Sequence, residues 1–558
     1  MANIEPLSNV DAAWLRMEDP TNLMMVSGIL TFKEPLDYGR LREVVGRRLL
    51  QFDRFRKRVV QPRLPLAPAY WEYDPHFSLD AHMHRVALPE PGDKAALQAI
   101  VSDLMSTPLD FTKPLWMVHV IENYEGGTAV CVRLHHCIAD GMALVYVLLS
   151  LTDLSPDAKA GSSEKIKQPR SRRGLFGGGV TSILKQTSAT AGAARSLARR
   201  ALHEGRTTLT RPTRAVEIAQ WSGDNVLAAG RLFLRSHDPD TSFKGKLGTQ
   251  KRAAWSRPLA MKDVKKIKNV TGGTVNDVLV AAMTGGLRRY LLARGEDVRG
   301  LSFRAAVPIN LRQPDEMGTL GNKFGLLFLD LPVGIADPLD RLNEVHKRME
   351  ELKTSKEGPV GLAILGTMGV VPQELQGTLV EMFGKKLTAV MTNVPGPPMP
   401  LYMGGQRIHE LMFWVPQSGR LGLGISIISY AGRVQLGVAT DAGLVPNPDA
   451  IIEGFYQEFD ALLALAVEAE AIAQQASLPV PPDAAPMPAA ETAVTFNPNG
   501  DLQHINGIGP TYAARLEEAG VVTKEQLVAM PSEKLAEILD ASLSRAESIL
   551  AEAQKGAG

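Results

Sequence analysis

Two adjacent histidines, His135 and His136, precede Asp140 and Gly141 where an apolar strand-like run gives way to an apolar helix-like run. An imidazole titrates near neutral pH, so a histidine at such a corner can take a proton from a hydroxyl and return it to a leaving group. Asp140 can fix the turn, and Gly141 permits a backbone angle or close approach that other residues resist. A polar turn around a packed histidine is the alternative, but the spacing favours a general base.

Three motifs that would indicate other chemistry are missing from the sequence. It has no G-x-S-x-G nucleophile elbow, no G-x-x-x-x-G-K-[ST] phosphate loop and no H-E-x-x-H zinc helix. The two cysteines, Cys131 and Cys137, argue against a disulfide framework or a four-ligand zinc site, and no metal site is expected. A base without a protein nucleophile suits direct transfer of an acyl group to an external alcohol.

The charge of the chain is balanced overall but not locally. The 558 residues include 61 Lys and Arg against 60 Asp and Glu. Residues 161–220, however, hold 12 Lys and Arg against 3 Glu, with apolar residues recurring at roughly helical spacing. Such a segment can bind an anionic membrane surface, or it can be a solvated linker helix. The sequence contains no uninterrupted apolar run of about 18 residues, the length that a membrane-spanning helix needs. We therefore expect a cytoplasmic protein.

Hydrophobic periodicity predicts two α/β units and a small helical unit. The predicted domains are 1–155, with the histidine corner; a basic crossover, 156–250; a second α/β unit, 251–472; an Ala/Pro-rich linker, 473–499; and a helical unit, 500–558. Within the second unit, Thr274 and Asp277 indicate a capped helix start. Gly507-Ile508-Gly509 indicates the tight turn of a helix-hairpin-helix.

The histidine corner resembles a known family. His135-His136-Cys137-Ile138-Ala139-Asp140-Gly141 is similar to the HHxxxDG signature of the bacterial wax ester synthase/acyl-CoA:diacylglycerol acyltransferases, a branch of the chloramphenicol acetyltransferase-like and condensation-domain superfamily. Further blocks between about residues 5 and 470 follow the family's order, among them Val10-Asp11-Ala12, Pro114-Leu115-Trp116, Asn276-Asp277, Gly321-Asn322 and Asn393-Val394-Pro395-Gly396-Pro397. The C-terminal helix-hairpin-helix is not part of this pattern.

The resemblance implies an α/β fold of two chloramphenicol acetyltransferase-like subdomains with mixed sheets, enclosing a tunnel that acyl-CoA and the alcohol enter from different sides. It implies that His136 is the general base, that His135 supports the loop, and that Asp140 is structural and pairs with an arginine. We expect Arg56 to be that partner, with Arg58 and Arg312 as alternatives. Three further residues are candidates for substrate binding: Asn276 as a hydrogen-bond donor to the substrate or the histidine loop, and Thr392 or Asn393 as a group that helps to hold the developing oxyanion.

The leading prediction is an acyl-CoA-dependent O-acyltransferase that makes wax ester from long-chain alcohol, triacylglycerol from diacylglycerol, or both. Acyl-CoA would be a co-substrate, and no cofactor is expected. One alternative is a natural-product or condensation-type enzyme with a carrier-bound acyl donor; another is a lipid-surface structural protein with a degenerate core.

We expect peripheral association with the inner membrane face or lipid droplets. The tail, with 5 Lys and Arg against 9 Asp and Glu in residues 501–558, favours protein interaction or self-association over nucleic acid.

Overall fold

The structure is a computed structural model. It describes residues 4–62, 68–158, 235–313, 316, 318–354, 361, 366, 373–417, 421–476, 502, 505, 508, 510–521, 523–539 and 543–555. The chain divides into two compact units, residues 1–477 and 478–558. The basic segment 161–220 and the turn residues Gly507 and Gly509 lie outside the described residues.

The first part of the larger unit is built on β-strands that alternate with short helices. Its strands are β1 (Glu5–Pro6), β2 (Met25–Phe32), β3 (Lys57–Val60), β4 (Tyr70–Tyr73), β5 (Met83–Ala87), β6 (Trp116–Tyr124) and β7 (Gly127–His135). Its helices are α1 (Asn9–Arg16), α2 (Tyr38–Arg48), α3 (Lys94–Ser106) and α4 (Gly141–Leu151). Strands β6 and β7 form a hairpin around Glu125-Gly126-Gly127, with Glu125 and Gly126 at φ of 49° and 80°.

The second part contributes a larger mixed sheet. The strands of this part of the chain are β8 (Lys251–Trp255), β9 (Leu259–Ala260), β10 (Phe303–Asn310), β11 (Phe324–Leu331), β12 (Ala389–Pro395), β13 (Tyr402–Met403), β14 (Gln406–Arg407), β15 (Glu410–Trp414), β16 (Leu423–Tyr430) and β17 (Arg433–Asp441). Strands β13 and β14 pair with each other and are separate from the larger sheet. In the described chain, the sheet order is β11-β10-β12-β16-β17-β8, with β9 beside β17. Strand β12 runs parallel to β10 and β16, and the other pairs in this sheet are antiparallel. The fold is therefore α/β with mixed sheets, as the family resemblance implies.

The described helices of the second part are α5 (Met261–Thr271), α6 (Val275–Ala293), α7 (Pro338–Thr354), α8 (Gln373–Lys386) and α9 (Asp449–Ala476). Helices α5, α6, α7 and α9 pack in the core on one face of the larger sheet. Helix α8 packs on the opposite face, where Phe383 stacks on Phe328. The Thr274 side chain accepts a hydrogen bond from the Asp277 backbone, and the Asp277 side chain accepts one from Thr274, so α6 begins with the capping box that the sequence predicts. Helix α5 has no counterpart in the sequence analysis.

A strand from the second part completes the first sheet. Strand β15 pairs antiparallel with β2, so that the first sheet has the order β15-β2-β7-β6-β5 in the described chain. Three apolar clusters lie in the described part of the larger unit, and the smallest of them includes Ala306, Phe328 and Val390. The first core holds Trp14, Ile29, Trp116 and Ile428, among others, and the second core packs α6 and α9 against the larger sheet. Strand β15 lies in the second part of the chain but pairs with β2 of the first sheet. The predicted boundary between the subdomains stays a prediction.

The smaller unit is helical over its described residues. It contains α10 (Pro510–Glu518), α11 (Lys524–Val528), α12 (Ser532–Leu539) and α13 (Leu543–Lys555), and it has an apolar cluster of its own, which includes Leu516, Leu535 and Ile549. Helix α9 continues to Ala476, past the residue 472 at which the sequence analysis ends the second α/β unit. The predicted linker falls almost wholly outside the described residues.

Candidate active site

The histidine loop, residues 135–141, joins the end of β7 to the start of α4. His135 pairs with Met25 across β2 and β7, and the backbone N–H of His136 donates to the Met24 carbonyl at 2.8 Å. Asp140 caps α4, because its Oδ1 accepts from the Ala143 backbone N–H at 3.0 Å. Both ends of the loop are thus held by regular structure.

The His136 ring lies in an aromatic environment. It stacks on Trp14, with ring centroids 4.1 Å apart and planes at 20°, and Phe324 lies 5.9 Å away. The residue is buried, and Nδ1 has no hydrogen-bond partner. Burial is the largest influence on this ring and lowers the pKa of His136 to about 4, with a smaller contribution from the neighbouring His135. At physiological pH the ring is therefore neutral and able to accept a proton.

His135 is fully buried and turned toward the protein. Its Nδ1 accepts from the Cys137 backbone N–H at 3.1 Å, so the neutral ring carries its proton on Nε2. That nitrogen lies 3.4 Å from Oε2 of Glu18, which also accepts from the Met24 backbone. His135 consequently braces the loop and the neighbouring strand β2.

Two side chains, Arg54 and Asn322, bind the backbone of the loop, and Asp11 binds both of them. Arg54 donates from Nη1 to the Ile138 carbonyl at 2.9 Å and to the Cys137 carbonyl at 3.3 Å, and its Nη2 lies 3.1 Å from Asp11. The Asn322 amide bridges the His136 carbonyl at 2.7 Å and Asp11 Oδ1 at 2.8 Å. Burial raises the pKa of Asp11, although the Arg54 charge opposes this effect. This arrangement fixes the peptide groups on either side of Cys137.

Asp140 pairs with Arg312, and the prediction of Arg56 as its partner is wrong. Oδ2 of Asp140 lies 2.8 Å from Arg312 Nη2 and also accepts from the Lys323 backbone at 2.9 Å. Arg56 instead forms an exposed pair with Asp53 at 2.6 Å. The loop that follows β10 brings Arg312 to the histidine loop, whereas the Arg56 guanidinium stays at the surface beside β3. The ion pair therefore joins the two halves of the larger unit.

Gly321 brings the second half against the histidine loop. Its φ is +101°, and an added Cβ would lie 3.3 Å from Arg54 Nη1. Its backbone N–H donates to Ile138 and its carbonyl accepts from Asp140. Gly141 needs no such backbone angle, since it is not among the residues with positive φ, and a Cβ there would meet Val394 Cγ2 at an ordinary 3.6 Å. Neither reason given for Gly141, a special backbone angle or a close approach, is therefore required by the structure.

The three candidate substrate-binding residues separate into a pair and a single residue. Asn276 Oδ1 accepts from Asn393 Nδ2 at 2.9 Å, and Asn276 Nδ2 lies 4.0 Å from Met349 Sδ. Thr392 is buried on β12 next to Asn393. Since neighbouring strand residues point to opposite faces, Thr392 faces away from the asparagine pair. Among the hydrogen bonds of the described residues, none joins these three side chains to the histidine loop.

The sequence pattern did not indicate that Trp14, Glu18, Arg54 and Asn322 support the histidine loop, and it indicated Arg312 only as an alternative partner of Asp140. Asp11 and Asn322 stand within the blocks Val10-Asp11-Ala12 and Gly321-Asn322, so a polar residue in those blocks was the available signal. Trp14 and Arg54 carry no such signal. Their approach to the loop depends on how distant strands pair.

The described part of the chain contains neither a metal-binding cluster of side chains nor a membrane-spanning helix. No group of three or more His, Cys, Asp or Glu side chains is arranged to hold a metal ion there. No helix within those residues is both long and apolar enough to cross a membrane.

Sequence profiles match most of the chain. The profile of the wax ester synthase/diacylglycerol acyltransferase catalytic domain matches residues 7–279, and that of the WS/DGAT C-terminal domain matches residues 320–463. A profile of the SAM-like helix-hairpin-helix tandem matches residues 500–555. A Mycobacterium bovis relative named as a diacylglycerol O-acyltransferase is 29% identical over 473 residues, covering 82% of this chain and 96% of the relative.

Solved structures share the fold at lower identity. A wax ester synthase/diacylglycerol acyltransferase from Marinobacter aquaeolei has a TM-score of 0.58 at 21% identity and covers 83% of this chain and 100% of its own. The starter condensation domain of rhizomide synthetase has a TM-score of 0.51 at 12% identity, covering 84% of this chain and 95% of its own. These likenesses show the fold of the larger unit.

Proposed function

The chain belongs to the wax ester synthase/diacylglycerol acyltransferase family, and we propose that it esterifies long-chain alcohols, diacylglycerol or both with acyl-CoA, using His136 as general base. The chain is an acyltransferase of this family.

The proposal rests on the His136 imidazole, which is buried, neutral and held in one plane. Its pKa of about 4 leaves the imidazole unprotonated at neutral pH, and Trp14 fixes the plane of the ring. A base of such low pKa is weak, but the same burial keeps competing water from the thioester. The backbone ties from Arg54 and Asn322 hold the residue in place, which lowers the cost of orienting it during the reaction.

The bonds and the proton of the proposed acyl transfer are all accounted for by the alcohol, the thioester and His136. The alcohol oxygen attacks the thioester carbonyl carbon while its proton passes to the His136 ring, and the carbonyl oxygen becomes an oxyanion. Collapse of this intermediate breaks the C–S bond, and the imidazolium returns the proton to the CoA thiolate. The products are an ester and CoA.

The neighbouring residues have supporting roles. His135 braces the loop through Cys137 and Glu18, and Asp140 holds the start of α4 and the Arg312 loop. Neither needs to contact the substrate. Thr392 is proposed to lie near the developing oxyanion. Asn276 and Asn393 are proposed to contribute to substrate binding as a hydrogen-bonded pair.

The substrate class suggests where the enzyme works. Long-chain alcohols, diacylglycerol and the ester products partition into lipid, and the local excess of 12 Lys and Arg over 3 Glu in residues 161–220 suits an anionic surface. We place the enzyme at the cytoplasmic face of the membrane or at lipid droplets. The acidic tail, residues 501–558, is proposed to bind protein or a second copy of the chain.

The test is a product assay with matched acceptors. Purified protein is given palmitoyl-CoA with hexadecanol or with diolein, and both CoA and the lipid ester are measured. We expect CoA and ester in equal amounts with at least one acceptor. A protein that forms ester only from a carrier-bound acyl group would support the condensation-type alternative instead. No ester from either donor would support the structural alternative.

A further inference from the structure

Strand β16 carries a buried hydroxyl that no other group in the described structure satisfies. Ser426 is 1% exposed, and its Oγ has no hydrogen-bond partner. Buried hydroxyls are almost always hydrogen-bonded, because leaving one without a partner forfeits its interaction with water. An unsatisfied hydroxyl in the interior is therefore a candidate for binding a ligand.

The register of the sheet places Ser426 beside Thr392. Strands β12 and β16 run parallel, and these two residues are paired. Paired residues on adjacent strands point to the same face. The alternate residues Met391, Ile425 and Ile427 belong to the second core with α6 and α9. Ser426 and Thr392 must accordingly point to the opposite face of the sheet.

That opposite face meets the histidine loop. Val394, two residues beyond Thr392, has its Cγ2 3.6 Å from where a Cβ on Gly141 would stand. Ile428, two residues beyond Ser426, packs in the first core. The two hydroxyl residues therefore lie on the sheet face that is turned toward the start of α4, immediately after the histidine loop.

A second unsatisfied group lies on the same face. Gly424, two residues before Ser426, would place a Cβ 3.3 Å from Gln417 Cγ, and the buried Gln417 Oε1 also has no partner. The Gln417 carbonyl accepts from the side chain of Asn22, which is two residues before Met24, the backbone partner of His136. Gln417, whose side-chain oxygen is unsatisfied, is thus connected to the histidine loop through Asn22 and the neighbouring Met24.

We propose that the Ser426 hydroxyl is a catalytic group that donates a hydrogen bond to the thioester carbonyl oxygen of the substrate as that oxygen becomes an oxyanion. The Thr392 hydroxyl stands beside it on the same face. This role rests on the proposed acyl transfer, in which His136 removes the alcohol proton. An oxyanion donor acts mainly in the transition state, so its loss lowers kcat more than it raises KM.

The experiment compares Ser426→Ala with a matched control on the same strand. Ser429→Ala removes a hydroxyl three residues away, where the side chain points to the other face. With palmitoyl-CoA and the better acceptor, we expect Ser426→Ala to lower kcat by about 10²-fold with little change in KM. The control should stay within about twofold of the parent. The melting temperature of Ser426→Ala should be unchanged or higher, because the hydroxyl that it removes has no partner in the fold.

Two outcomes would overturn the proposal. One is a Ser426→Ala protein with the parent's kcat, and the other is a rise in KM at constant kcat, which would indicate substrate binding without oxyanion stabilisation. Ser426→Cys, which keeps a weaker donor of similar size, should retain intermediate activity if the variant folds. A parent protein that releases no CoA with any acceptor would overturn the proposed function and this inference with it.

Discussion

Removal of the Asp140 carboxylate should destabilise the larger unit strongly. Asp140→Ala deletes the cap of α4, which is worth about 1 kcal/mol. It also leaves the guanidinium of Arg312 buried without its counter-ion, at a cost of about 3–5 kcal/mol. The pair is well buried, with side chains 2% and 6% exposed for Arg312 and Asp140. The expected loss is therefore about 4–6 kcal/mol, a large part of the roughly 5–15 kcal/mol by which folded proteins are stable.

A double-mutant cycle can separate the ion pair from the cap. Asp140→Ala combined with Arg312→Met removes both charges, so it should be more stable than Asp140→Ala alone. Arg56→Ala is the matched control: Arg56 pairs with Asp53 at the surface, with side chains 41% and 50% exposed, so its loss should cost at most about 1 kcal/mol. The assay is chemical denaturation followed by tryptophan fluorescence. An Asp140→Ala protein as stable as the parent, or an Arg56→Ala protein as unstable as Asp140→Ala, would refute the reasoning.

Three further predictions follow from the site and from the segments around it. Trp14→Leu should admit water to His136 and raise its pKa from about 4 toward its ordinary value, so the acidic limb of the pH–rate profile should move to higher pH; an unmoved limb would contradict burial as the cause. Binding to anionic liposomes in co-sedimentation should weaken with salt and on neutralising Arg195, Arg199 and Arg200, and equal binding to neutral vesicles would count against a docking role for residues 161–220. A chain ending at residue 477 should keep its specific activity, and residues 478–558 alone should not shift duplex DNA at about 0.15 M salt; sub-micromolar DNA binding would contradict this.

Local features of the fold could be predicted from the sequence. The capping box at Thr274 and Asp277 and the β6–β7 hairpin at Glu125-Gly126-Gly127 depend on neighbouring residues alone. The turn at His136 could be predicted for the same reason, because a buried strand and an apolar helix flank it directly. Hydrophobic periodicity and turn chemistry carry this information within short stretches of chain.

Long-range pairing could not be predicted in the same way. Arg312 reaches Asp140 across 172 residues, and nothing in the pattern around Arg312 distinguishes it from Arg56. Strand β15 crosses to pair with β2, which no local alternation indicates. Ser426 looks like one more residue of a buried strand until the register places it beside Thr392. Sequence pattern predicts which face of an element is buried, but not which distant element covers it.

We hold that His136 is the base of an acyl transfer, and the rate of CoA release by His136→Ala tests this role more directly than any other measurement. A positioned base contributes about 10²–10⁴-fold, so the variant should lose at least 10²-fold in kcat with hexadecanol and with diolein while it keeps the parent's circular dichroism spectrum. His135→Ala should lose less, because His135 acts through the loop, and exposed His84→Ala should be unchanged. A folded His136→Ala protein that releases CoA at near the parent rate would contradict the claim.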